Sequence, residues 1–520
     1  MRTASALALL GLVVATHAVA AQTPAARGAF VMRIGADTLV IERFERTADT
    51  LVGTISVKGQ PQQQYLAVLA PANTVASISL NLFTSDAPGA APAQRMFVVI
   101  RGDTAITNLN GEVRRFATLA GATPLLNNSF ALAELFSRRA RVAGGSATIP
   151  VFAVAGGVSL TLSLRAVGPD SMLLTLAGVE ERLQVNGSGQ ILGGTIPAQH
   201  IELSRVDGVA ATLLRMGKVS YAAPAGAPYT ATEVILNAPG GFNLGGTLTL
   251  PIGAKGPVPA IVTITGSGQQ DRDEYIPVAG GYRPFRQIAD TLGRRGIAVL
   301  RLDDRMVGLS GGTLGTSADY ADDIRAALAF LRTRPEIDPD RLALLGHSEG
   351  GMIAPMVAVT DPRLKGIVLM AGPSDKGVDI LHYQQRNAIN ADTSIRAAAR
   401  DSIARVAAVS LDSIARTNPW MAYFLAYDPI ATARQVKVPT LILQGATDHQ
   451  ITPEQAGKLG RAIRSGGNRD VTVQVFPAMN HLFIPDSSGN VGGYNMLKTN
   501  RIPPEVLGVI VEWLVKRLGR

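Results

Sequence analysis

The sequence predicts an α/β domain, a mostly parallel sheet with covering helices, preceded by a mostly antiparallel β domain. Three observations carry this. From about residue 233 onward, apolar strands alternate with amphipathic helices. From about 27 to 205, short alternating runs are punctuated by Gly, Asn, Asp and Pro. Between these extremes of pattern, one apolar run, Leu342-Ala343-Leu344-Leu345, leads straight into Gly346-His347-Ser348-Glu349-Gly350 and then a helical stretch.

The chain of 520 residues begins with Met1-Arg2, an apolar stretch from Ala4 to about Ala15, and small residues before Gln22. This is the pattern of a signal peptide over residues 1–21, so export to the periplasm or beyond is expected. The β-rich region is set at 22–205, with strands such as Thr38–Arg43, Arg95–Ile100 and Ser159–Leu164, and one helical piece around Phe130–Arg139. A strongly curved sheet or an open barrel fits it. Residues 206–231, rich in Ala, Pro and Gly, are expected as a linker. The α/β domain then spans 232–520. It opens with a hairpin, Glu233–Leu236 and Gly246–Pro251. A helix with Phe285, Ile288, Ala289 and Leu292 on one face precedes the strand Ile297–Leu300. A second, with Ile324, Leu328 and Leu331, precedes Leu342–Leu345. The last helix follows Pro503-Pro504, where proline suits a first turn. Residues 375–430 interrupt the alternation between the strands Gly366–Met370 and Val438–Gly445, and are expected as a helical lid. Trp420, Tyr423 and Phe424 within it are candidates for a substrate pocket or for the core that joins lid to body.

The strand–turn–helix around Ser348 is a nucleophile elbow: small residues on either side let the backbone turn tightly and present the hydroxyl. A second G-x-S-x-G, around Ser310, lacks a preceding strand and a following helix and reads as loop. A serine nucleophile needs a base, and the base an orienting acid. Asp448 follows the strand Val438–Gly445, and His481 follows Val471–Phe476, both just past strand C-termini where open α/β sheets build their sites. His449 is the rival base; Glu454 and Asp375 are the rival acids. The N–H of Glu349 and that of Ser267 or Gly268, in the loop after Ala260–Ile264, are the candidate oxyanion donors. Asp271, Arg272, Asp273, Asp304 and Arg305 are expected to form an ion network bracing that loop.

The chain has no cysteine, which excludes disulfides, a thiol nucleophile and thiolate metal sites, and no His-rich metal cluster is visible. No cofactor or metal is expected. The formal net charge is +9, but the basic residues are dispersed without interleaved aromatics, so no nucleic-acid groove is expected. Past the leader, no run is long enough for a membrane helix, so no stable insertion is expected after its removal. The sequence leaves the oligomeric state open.

The motifs Gly266-Ser267-Gly268-x-x-Asp271-Arg272-Asp273, Leu300-Arg301-Leu302-Asp303-Asp304-Arg305, Gly346-His347-Ser348-Glu349-Gly350-Gly351 and Pro419–Pro429, with the Asp448/His481 pair, carry a resemblance over about Glu233–Arg520. The chain resembles the α/β-hydrolase superfamily, and within it bacterial esterases of the serine aminopeptidase-like and dienelactone-hydrolase-like groups. The resemblance implies an enzyme that cleaves a small-molecule carboxylic ester through an acyl-serine. A peptidase of the same fold and a non-catalytic envelope-binding protein are the alternatives. Met306 stands where similar proteins carry glycine, so the loop after it is expected to be reshaped.

Overall fold

A computed structural model describes residues 26–35, 37–83, 90–154, 157–176, 179–217, 219–391, 396–416 and 418–519. The expected signal peptide lies outside these residues.

Among the described residues the N-terminal half is one sheet of 15 strands, antiparallel except where Thr123–Leu125 pairs parallel with Ser146–Ala153. Period-two burial builds it. In Gln62–Ala70 the side chains of Tyr65 and Ala67 are buried while Leu66 and Val68 face out. Nearly all neighbours are consecutive, but the first strand, Ala26–Ile34, pairs with the last, Ile201–Asp207. The helix Phe130–Val142 lies in the concavity. It touches strands of both arms, Asp37–Arg46 on one side and Ser146–Ala153 and Ile191–Ile196 on the other. Phe130, Leu132, Leu135 and Phe136 are all buried there. Two acids come with it. Glu42 accepts from the Tyr65 and Ser129 hydroxyls and from the Ala131 N–H at the helix start. Glu134, on the helix, is ringed by Arg46, Arg138 and Arg205.

The stretch expected as linker is partly structured. The strand Ile201–Asp207 runs into it, a short helix occupies Val209–Leu213, and the next strand begins at Tyr229. It is also fastened down: the Arg43 guanidinium donates to Ala211 and Leu214 carbonyls, and Tyr221 to Asp271.

The C-terminal sheet has eight strands. In chain order they are β1 (Tyr229–Asn237), β2 (Asn243–Pro251), β3 (Val258–Ile264), β4 (Ala298–Leu302), β5 (Ile337–His347), β6 (Gly366–Met370), β7 (Thr440–Gly445) and β8 (Val471–Phe476). The spatial order is β1-β2-β4-β3-β5-β6-β7-β8. β1 and β2 are antiparallel, β2 meets β4 antiparallel, and the rest are parallel. β5, at the centre, is buried on both faces from Leu342 onward, as a parallel strand covered by helices must be. Pro284–Gly293 and Pro504–Leu518 cover one face and Ser317–Thr333 and Glu349–Thr360 the other, which gives two separate apolar cores. Between β6 and β7 the chain forms the helices Gly377–Ala391, Ala397–Ala415, Pro419–Ala426 and Pro429–Ala433.

Candidate active site

Ser348 sits between β5 and the helix Glu349–Thr360 with φ 53° and ψ −117°. A left-handed serine is strained, and such strain persists only where neighbours fix it. Here the fixing is visible. The Ser348 N–H donates to the Met370 carbonyl at 2.8 Å. A Cβ on Gly346 would fall 2.0 Å from the Gly350 carbonyl oxygen, and one on Gly350 2.1 Å from that of Ile264. Both positions must therefore be glycine for the elbow to close. Ser310, in the second copy of the pattern, is a wholly buried loop residue; its hydroxyl donates to the Asp303 carbonyl and accepts from the Gly245 N–H.

Asp448 and His481 meet. His481 Nδ1 lies 2.8 Å from Asp448 Oδ2, and both residues are buried. Asp448 also accepts from Gln444 Nε2 and from the N–H groups of Gln450 and Ile451. Four donors fix the carboxylate, and because it accepts from Nδ1–H, the Nε2 of His481 is left as the free acceptor. The turn holding His481 is tied by the Asn480 side chain, which accepts from Leu482 and Ile484 N–H groups. His449 does not pair with Asp448 in this way: its Nδ1 faces the Tyr383 hydroxyl of the helix Gly377–Ala391.

Sequence reasoning missed the group that joins these parts. Glu274 is completely buried. Its Oε1 accepts from the Gly266 N–H at 2.9 Å and lies 2.8 Å from His347 Nδ1. The Nε2 of His347 lies 2.9 Å from the carbonyl oxygen of His481. A carbonyl can only accept, so Nε2 carries a proton. Burial alone would lower the His347 pKa, but the charge and hydrogen bond of Glu274 outweigh it and raise the value. One buried pair thus links the loop after β3, the elbow and the backbone of His481. The signal in the sequence was the unbroken charged run Asp271-Arg272-Asp273-Glu274 beside an apolar strand.

Ser267 and Gly268 are exposed at the tip of that loop, with Gly268 at φ 99°. The ion network beneath them differs from the expected one in its partners. Arg272 pairs with Asp303, which was not singled out. Asp273 pairs with Arg301, Asp271 with Arg283, and Arg305 with Asp323. Asp304 accepts from the Thr265 hydroxyl and the Gln270 N–H, and burial pushes its pKa well above the usual carboxylate range. Met306 has φ 65°, the conformation that favours glycine, and its buried sulfur accepts from Gln94 Nε2 of the β domain at 3.4 Å.

Trp420, Tyr423 and Phe424 lie on the helix Pro419–Ala426. Phe424 is buried, and Trp420 stacks on it at 5.2 Å. Trp420 Nε1 also donates to Glu349 Oε1 at 2.9 Å, and the Ser317 hydroxyl donates to the same oxygen at 2.6 Å. The helix Pro419–Ala426 is therefore tied to the residue that follows Ser348. Among the described residues, no group of three or more His, Asp or Glu could hold a metal ion, and no helix is long and apolar enough to cross a membrane.

Residues 279–488 match the family described as serine aminopeptidase, S33. The esterase EstD of Thermotoga maritima is 28% identical over 281 residues, which cover 52% of this chain and 66% of EstD. The C-terminal half has the α/β-hydrolase fold. A thiohydrolase of Arthrinium phaeospermum is 37% identical over 87 residues, 16% of this chain and 28% of the relative. The chain thus spans less than two thirds of the length of each of these relatives. Among solved structures, a Pyrococcus furiosus esterase aligns over 58% of this chain and 96% of its own, at 16% identity and a TM-score of 0.42.

Proposed function

We propose that the chain is a serine esterase that cleaves small carboxylic esters through an acyl-serine. The hydrogen bond between Asp448 and His481, tied through His347 to the strained turn at Ser348, carries the reading. Ser348 Oγ attacks the ester carbonyl, and its proton passes to His481 Nε2. Asp448 holds the ring and stabilises its charged form. The oxyanion is received by the N–H of Glu349 and that of Ser267 or Gly268. Collapse expels the alcohol, which takes the proton from His481. Water, deprotonated by the same nitrogen, then releases the acid. The leader pattern adds export to this reading.

An aminopeptidase would need an acid free to hold the substrate's amine. Glu349 Oε1 is occupied by Ser317 and Trp420, and Asp375 is paired with Lys458. These engagements favour ester over peptide. The test is turnover of p-nitrophenyl acetate and butyrate by the parent and by Ser348→Ala. Turnover lost in the variant is the expected result. A folded parent inert on both esters but active on aminoacyl anilides would overturn the reading in favour of the peptidase.

A further inference from the structure

A cavity of about 220 Å³ lies where the β domain meets the loop after β3. Gln269 and Gln270 form one wall, starting one residue beyond the candidate oxyanion donors. Gln60, Asn128 and Gln199 of the β domain also line it, with apolar side chains that include Val40 and Ile201. The wall is continuous with the catalytic loop: Gln270 Nε2 donates to the Ser267 carbonyl, and the Gln270 N–H to Asp304.

The chemistry of the lining narrows the occupant. Only Lys58 and Asp271 bring charge to it, and both are neutralised, Lys58 by Asp37 and Asp271 by Arg283. The Tyr275 ring, a further wall, is flanked by Lys58 at 5.0 Å and Arg283 at 4.1 Å, and its hydroxyl is fastened to Asp37, so it is rigid. What remains is carboxamide. Gln60, Asn128, Gln199 and Gln269 have no side-chain hydrogen-bond partner among the described residues, and Gln270 Oε1 is buried without one. Each carboxamide both donates and accepts. The matching ligand group is neutral and also does both, with an apolar face for the apolar side chains. Hydroxyl groups on a compact ring have that character, and an ester must leave behind an alcohol.

We propose that this junction is the leaving-group subsite, and that the natural substrate is an ester of a polyhydroxylated, sugar-like alcohol. The β domain is then half of the substrate site. The proposal rests on the esterase reading and deepens it.

The experiment compares three acetates on the full chain: p-nitrophenyl acetate, ethyl acetate and the 6-acetate of methyl glucoside, with acetate release as the readout. The parent and the double variant Gln60→Ala/Gln199→Ala are assayed together; both side chains are exposed and unpartnered, so the fold survives. The parent is expected to prefer the glucoside ester to ethyl acetate by tenfold or more in kcat/KM. The variant is expected to lose about tenfold on the glucoside ester, as two hydroxyl contacts at a few-fold each require. Its loss on the glucoside ester should exceed its loss on p-nitrophenyl acetate and on ethyl acetate, whose leaving groups carry no hydroxyl for the two carboxamides to bind. Methyl glucoside itself should inhibit the parent competitively and the variant more weakly. A parent that cleaves p-nitrophenyl acetate yet treats the other two esters alike overturns the subsite and leaves the esterase standing. An equal loss on all three substrates also overturns it. A folded parent inert on p-nitrophenyl acetate overturns the esterase reading, and the subsite with it.

Discussion

Replacing Glu274 by Gln tests whether the site is held from behind. The substitution keeps the shape but removes the charge that faces His347 at 2.8 Å, inside a cluster where Glu274 is wholly buried and His347 is 4% exposed. A hydrogen bond to a charged group contributes about 1.5–3 kcal/mol. A loss of that size corresponds to roughly 3–10 °C in Tm for a domain of this scale. The sign with pH follows from the raised His347 pKa. The pair's contribution is fully present below the unfolded value of 6.5 and is lost as pH rises through the raised folded value. The gap in Tm between parent and variant should therefore be widest near pH 6 and narrow as the pH rises. Turnover should fall by about tenfold, equivalent to ~1.4 kcal/mol of lost transition-state stabilisation, because the loop at Gly266 and the backbone of His481 both relax. KM for a short ester should change little, since neither group touches the acyl chain. Melts followed by tryptophan fluorescence, with p-nitrophenyl acetate kinetics on the same samples, give both readouts. A variant with the parent's Tm at pH 6 and the parent's turnover would refute the brace.

Asp304→Asn should leave folding and turnover close to the parent, because burial already favours its neutral form; Asp303→Asn, which strands the buried Arg272, should cost about 3–5 kcal/mol in denaturant unfolding. Glu42, whose pKa burial raises to about 7 from 4.5, takes up a proton on folding. The stability it confers is whole below pH 4.5 and declines until pH 7, by about 3 kcal/mol at most. Urea midpoints of the parent should therefore drop relative to Glu42→Gln between pH 5 and 7.5, and parallel pH curves would rule this out. Trp420→Phe keeps the ring stacked on Phe424 but deletes the donor to Glu349. If the tether matters, kcat falls several-fold with chain-length preference unchanged; a shifted preference between acetate and butyrate would instead assign Trp420 to the acyl pocket.

What could be read from the sequence was what neighbours in the chain determine. The run Leu342–Leu345 is apolar because β5 is covered on both faces, and Gly346 and Gly350 are small because carbonyl oxygens lie 2.0 and 2.1 Å from where a Cβ would go. That Asp448 and His481 meet could be read because each follows its strand directly. Glu274 was not, since its partner is 73 residues away and no spacing rule links a loop acid to the second residue of an elbow. The ion pairs failed for the same reason: acids and arginines adjacent in sequence, such as Asp304 and Arg305, point to different partners in space. The strands of the β domain were legible from their alternation, but the way the sheet curls was not. That depends on the pairing of Ala26–Ile34 with Ile201–Asp207, which no local pattern encodes.

Met306 sets the two halves in one argument. A methionine at φ 65° bears a backbone cost of about 1–3 kcal/mol that glycine would avoid. The residue is retained with its side chain 5% exposed and its sulfur against Gln94 of the β domain, so what offsets the strain is burial gained across the junction. The same junction holds Tyr275 against Asp37 and, through Tyr221, fastens the segment between the sheets to Asp271. All three contacts end on the loop after β3 or the loop after β4. Docking of the β domain and the position of Ser267 and Gly268 are therefore mechanically one problem. A change that loosens the junction at Met306 should be felt as lost turnover before it is felt as lost folding.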